Sequence, residues 1–187
     1  MRRILSLALS MLTLLCLSAC TGKEKGAAAA AEIAEKYSGT AIEAEVEITA
    51  DYGERVYIFS AEYAGTAEGG RITVLEPANI AGVSARIENG GAVLVFEGVE
   101  LNTGALADGD ISPMSALTGL MAAWSAGSRC SRELLGKTES LRLETPYGKE
   151  SSQTTWFDES TLLPLRSEII SEGRAVLIIT FKTAAIQ

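Results

Sequence analysis

Histidine is missing from all 187 residues. That absence removes imidazole as general base and as metal ligand, so histidine-based triads and histidine-held metals are excluded. Cysteine is scarce: Cys16 and Cys20 lie near the start and Cys130 stands alone downstream. A chain beginning at Cys20, with that thiol acylated, has no pair for an intramolecular disulfide. Without histidine, Cys130 also lacks the usual activating base, and it reads as a small buried side chain. Glycine-rich phosphate loops of the P-loop or dinucleotide type are absent. Basic residues are outnumbered 16 to 24, for a net charge of −8. Such a balance argues against nucleic acid and against lying flat on anionic headgroups.

What is present begins with the first twenty residues. Arg2 and Arg3 precede an apolar run from Ile4 to Leu17, interrupted only by Ser and Thr. The run falls short of the roughly 20 apolar residues of a membrane span and has the layout of a cleavable export signal. Leu17-Ser18-Ala19-Cys20 then resembles the lipobox of bacterial lipoprotein precursors. The resemblance implies cleavage before Cys20 and lipidation of its thiol. Two or three acyl chains hold a protein to a membrane where one holds only marginally. The expected divisions are 1–19 as signal peptide, 20–31 as lipidated tether and 32–187 as the folded domain. The expected address is extracytoplasmic: the outer face of the cytoplasmic membrane, with an outer membrane as the alternative.

Beyond the tether, Ala27 to Tyr37 contains good helix formers, with Ile33 and Tyr37 at i, i+4 and a stop near Ser38-Gly39. From Thr40 the period becomes two: Ile42, Ala44, Val46 and Ile48 alternate with Glu43, Glu45 and Glu47. That pattern is a half-buried strand with a charged outer face. Further strands are expected over 55–63, 71–75, 83–88, 92–97 and 99–102, with Glu76-Pro77 ending the third and Asn89-Gly90-Gly91 turning the fourth into the fifth. Ser112-Pro113 predicts a helix start, and Leu117, Leu120, Met121 and Trp124 form its apolar stripe before Gly127. Strands return with Leu141 and Leu143, then over 151–157, 163–171 and 174–183. Val176 to Phe181 reads as covered on both faces.

The fold class is therefore α+β, mainly β. It is a curved antiparallel sheet, a half-barrel of about nine to eleven strands in a meander, with helices over its concave face. The order of elements resembles the LolA/LolB lipoprotein-carrier superfamily. Ile72-Thr73-Val74-Leu75-Glu76-Pro77 resembles that family's strand ending in proline, and Ile80 to Ala85 fits its next step. Trp156 to Leu165 (WFDESTLLPL) is similar to its W-x-D-x-x-T-x-L-P-L segment. The resemblance implies binding of an acyl chain or other apolar ligand, in lipid or lipoprotein trafficking. The family's soluble periplasmic carrier has no lipid anchor, whereas the lipobox gives this chain one. The alternative is an envelope sensor or protein-interaction module of the RseB type, with a protein partner and no transport.

The expected apolar-ligand lining is Val46, Ile48, Tyr57, Phe59, Met121, Trp124, Trp156 and Ile178, each also compatible with plain core. Asp108-Gly109-Asp110 lacks the remaining ligands of a calcium loop and reads as a turn. The Glu43, Glu45, Glu47 row reads as a solvated strand face. No catalytic residue, metal or cofactor is expected, and the chain is read as a binding protein and not an enzyme.

Overall fold

The computed structural model describes residues 21–88, 91–105, 111–127 and 129–187, excepting the side chains of 21–25 and 103–105. Two helices and eleven strands are found among them. Helix α1 spans Thr21–Tyr37. Residues 21–31, expected as a tether, thus already lie in a helix, in keeping with the high helix propensity of the alanine run at 27–31. Ala30, Ile33 and Tyr37 form its buried edge.

Six strands follow: β1 (Ile42–Asp51), β2 (Val56–Gly65), β3 (Gly69–Glu76), β4 (Ser84–Glu88), β5 (Gly91–Phe96) and β6 (Val99–Ala105). Helix α2, Ala116–Ala126, starts later than Ser112-Pro113 predicts. A turn comes first, in which the Ser115 amide donates to the Ser112 carbonyl at 3.2 Å. Five strands complete the chain: β7 (Arg129–Leu135), β8 (Thr138–Tyr147), β9 (Ser151–Asp158), β10 (Pro164–Ser171) and β11 (Arg174–Ile186).

All pairings are antiparallel, but the order is not one meander. It runs β6-β5-β4-β3-β2-β1-β11-β10-β9-β8-β7, two meanders joined where the first strand meets the last. The sheet is curved and open, with β6 and β7 at its free edges, as a half-barrel requires. A short turn can only return a strand to its neighbour, so the β1–β11 pairing is the one step that local turns do not dictate.

Alternation then sorts the side chains. On β1 the residues Ile42, Ala44, Val46, Ile48 and Ala50 are buried on the inner, helix-covered face, while Glu43 and Glu45 are exposed on the outer one. The β1–β11 register shifts between Glu45 and Val46, which pair with Thr183 and Phe181. Lys182 is the extra residue, and its Nζ lies 3.1 Å from Glu47. This bulge resets the alternation of β11, so that Phe181 and Ala184 both pair with inner-face residues.

Candidate functional site

The inner face is the place where a half-barrel could receive a ligand, and α2 occupies it. Leu117, Leu120, Met121 and Trp124 point into the sheet and are buried. Around the Trp124 indole stand Tyr37 from α1, Phe157 from β9 and Phe181 from β11, with ring centroids at 5.0, 5.2 and 6.3 Å. Tyr37 and Phe157 approach each other at 5.6 Å. Edge-to-face and tilted pairs of this kind are favourable beyond their area burial.

A polar band runs under the aromatic cluster. Trp124 Nε1 donates to Thr155 Oγ1 at 2.8 Å, and Thr155 Oγ1 donates to Gln153 Oε1 at 2.6 Å. With its one proton committed there, Thr155 accepts from Ser167 Oγ at 2.8 Å, and Gln153 Nε2 donates to Thr145 Oγ1 at 2.6 Å. Gln153, Thr155 and Ser167 are each 0% exposed, and no buried side-chain polar atom among the described residues lacks a partner. Desolvation raises the phenol of Tyr37 far above its ordinary value, raises that of Tyr147 to about 12, and raises that of Tyr63. Tyr37 Oη donates to the Leu162 carbonyl at 2.8 Å and Tyr63 Oη lies 3.1 Å from Thr118 Oγ1. These hydroxyls hold helices to the sheet and remain neutral.

Five of the eight expected lining residues meet here. Val46, Ile48, Met121 and Trp124 are fully buried in one hydrophobic cluster with Phe59, which is 9% exposed. Tyr57 shares their face but sits at the end of β2, 48% exposed, edge-on to Tyr52 with centroids 6.0 Å apart. Trp156 and Ile178 lie on the opposite face. Trp156 pairs with Arg142 and Arg166, its Nε1 donates to Glu133, and the Arg142 guanidinium stands 5.9 Å over its ring. Ile178 pairs with Thr49 and Glu168. Neither can line the inner face, because a strand turns successive side chains to opposite sides.

The residues that sequence reasoning passed over are Tyr37, Phe157 and Phe181 as walls and Thr155 as the polar centre. One signal was available for Phe157. Asp158 must face out to cap its turn, Trp156 shares its parity, and Phe157 is therefore the inward aromatic.

The family-like WFDESTLLPL segment proves structural. Asp158 Oδ1 accepts from the amides of Ser160 and Thr161 and from both their hydroxyls, at 2.6 to 3.0 Å. Those bonds, led by the Ser160 hydroxyl, hold its carboxyl below the usual value. The turn so formed receives α1: besides Tyr37, Lys36 Nζ donates to the Thr161 carbonyl at 2.5 Å.

Other features offer less chemistry. An outer-face depression of about 550 Å³, open to solvent, is lined by the charged Glu43, Glu45, Glu62 and Arg71 together with apolar side chains such as Leu75 and Ala64. Among the described residues no three acidic or cysteine side chains gather as a metal site, and no helix is long and apolar enough to cross a membrane. Cys130 is buried and its thiol is raised, chiefly by desolvation. The signal peptide and Cys20, the Asn89-Gly90 turn and Asp108-Gly109-Asp110 lie outside the described residues.

The sequence matches no family model and no curated protein. Solved structures do resemble it. An uncharacterised conserved protein from Thermus thermophilus is 12% identical with a TM-score of 0.53, over 85% of this chain and 88% of that one. A LolA superfamily protein from Nitrosomonas europaea is 11% identical with a TM-score of 0.44, over 87% and 94%. LprF from Mycobacterium bovis is 15% identical with a TM-score of 0.43, over 85% and 94%. These are likenesses of fold alone, and the fold of this chain is an open antiparallel half-barrel with helices against its inner face.

Proposed function

We propose that the mature chain is a lipid-anchored, extracytoplasmic binding module whose inner face takes an acyl chain or other apolar ligand in place of α2. The carrying observation is how α2 is held. It has 11 residues, its N-cap Ser115 makes no side-chain capping bond, and neither end carries a charge that suits the helix dipole. A helix so short and uncapped has little stability of its own and keeps its place through packing. Withdrawing it would uncover Val46, Ile48, Phe59, Phe157 and Phe181, with Thr155 and Gln153 ready to hydrogen-bond one polar group of the ligand. The reading is one of binding without catalysis. Its membrane and envelope setting rests on the export signal and lipobox at residues 1–20.

The test is native mass spectrometry of the domain from Thr21 onward, with solvent extraction, followed by titration of its Trp156→Phe variant with oleate while Trp124 emission is recorded. A stoichiometric acyl species, or a saturable change in Trp124 emission, supports the proposal. An empty domain whose emission ignores oleate overturns it; a co-purifying protein partner on such a domain would favour the RseB-type envelope sensor.

A further inference from the structure

The exposed apolar side chains are unevenly placed. Eleven large ones are at least 36% exposed among the described residues, and only Leu134 and Ile186 lie at the end holding the β9–β10 turn. The other nine cluster at the opposite end, where the β1–β2 and β5–β6 hairpins turn. Tyr52, Val56 and Tyr57 stand on the first hairpin, and Phe96, Val99 and Leu101 on the second, with Val99 70% exposed. Antiparallel pairing puts these tips at the same end of the sheet, together with the β8–β9 and β10–β11 turns.

Helix α1 points its start at this same end. Its last residues bond the β9–β10 turn through Lys36 and Tyr37. Gly26, ten residues before Lys36, lies against the Cys130 carbonyl near the start of β7, so close that a Cβ there would come within 2.4 Å of the oxygen. At about 1.5 Å per residue, the helix start at Thr21 stands roughly 8 Å beyond Gly26. On the sheet, Cys130 pairs with Leu143, and the hairpin tip at Tyr147 lies about 13 Å beyond it. Thr21, the first described residue of the helix, therefore lies toward the β8–β9 turn, at the end of the sheet that holds the apolar tips, and Cys20 is the residue next to it in the chain.

We propose that this end faces the bilayer, with the β1–β2 and β5–β6 tips seated in the headgroup interface beside the lipid on Cys20. The proposal rests on the reading that Cys20 is acylated. Tyrosines belong at such an interface, ring in the apolar layer and hydroxyl in water. Asp51, Glu54, Glu97 and Glu172 at this end stand beside Arg55, Lys149 and Arg174, the last paired with Asp51 at 3.4 Å, so there is no basic patch to favour anionic over zwitterionic lipid. The lipid supplies the attachment, and the tips fix how the domain is oriented on the membrane.

The experiment uses the full lipoprotein in phosphatidylcholine vesicles whose acyl chains carry bromine just below the headgroups. Val99→Trp, Tyr52→Trp and Leu134→Trp are compared with the parent, whose own Trp124 and Trp156 set the background. Tips seated about 5–10 Å deep should lose about half of the emission added by Val99→Trp and Tyr52→Trp, with Leu134→Trp unquenched. Two reporters on separate hairpins keep the test decisive if one variant misfolds. Intact mass reports the state of Cys20 in the same samples. A lipidated protein with unquenched tip reporters overturns the proposal and leaves the anchor standing; a mass without lipid overturns the anchor reading and the proposal with it.

Discussion

Asp158 shows what one side chain does for the attachment of a helix. Its carboxylate closes the turn whose carbonyls, at Thr161 and Leu162, receive Lys36 and Tyr37. The carboxyl is held below its ordinary value of 3.8, first by the Ser160 hydroxyl and then by the Thr161 amide. A depressed carboxyl adds stability that is present above the unfolded value and lost as pH falls through the folded one. Asp158→Asn keeps an acceptor and removes the charge. The stability gap between wild type and Asp158→Asn in urea denaturation should therefore be widest near neutrality and shrink as pH falls below about 4. A gap independent of pH would contradict the assignment. The tryptophans make the complementary point at this scale. Trp124 and Trp156 are the same residue type, yet one is 0% exposed under a helix and the other lies among arginines on the outer face. Sequence could place the first by its helical stripe. It could place the second only through the parity it shares with Asp158.

Among the elements, α1 depends on close approach and α2 on shape. Gly26 lets α1 lie against the Cys130 carbonyl, where a Cβ would stand 2.4 Å from the oxygen. The obstacle is backbone and cannot swing aside, so Gly26→Val should lift α1 from β7 and cost about 1–3 kcal/mol in urea denaturation. Gly39 is the control. It ends α1 at φ +70° with nothing near its Cβ position, and Gly39→Asn should cost only about 0.5 kcal/mol, because asparagine tolerates that region. Strand β7 was the element least legible in the sequence. Arg129, Arg132 and Glu133 spoil its alternation, but at a sheet edge such charges guard against unwanted pairing. Its neighbour β8 was legible because Leu141 and Leu143 must reach the core.

At the scale of the whole molecule, the β1–β11 pairing holds two halves together. Phe181, Ile179 and Leu177 sit opposite Val46, Ile48 and Ala50, more than 120 residues away in sequence. β11 is also the partner of β10, so its loss opens both halves at once. A chain ending before Arg174 should show no cooperative thermal transition by circular dichroism, and a sharp transition would show that the two meanders fold independently. Contacts this distant are made late and at an entropic cost, which places the folding of the native chain among slow, non-local topologies.

Much of the protein is written locally. The alternation of Ile42 to Ile48, the proline after Glu76, the glycines at 39 and 127 and the Asp158 turn each settle a strand, a stop or a turn from neighbouring residues, because backbone sterics and short-range hydrogen bonds act over a few positions. The lack of histidine closes off imidazole chemistry by itself, since no fold can supply a residue type that the chain does not contain. Which face an aromatic takes on a strand and how tightly α2 fills the inner face depended on partners far away in the chain. Register, the bulge at Lys182 and the meeting of β1 with β11 are set by the packing of all layers together, and a single sequence position carries no record of that sum.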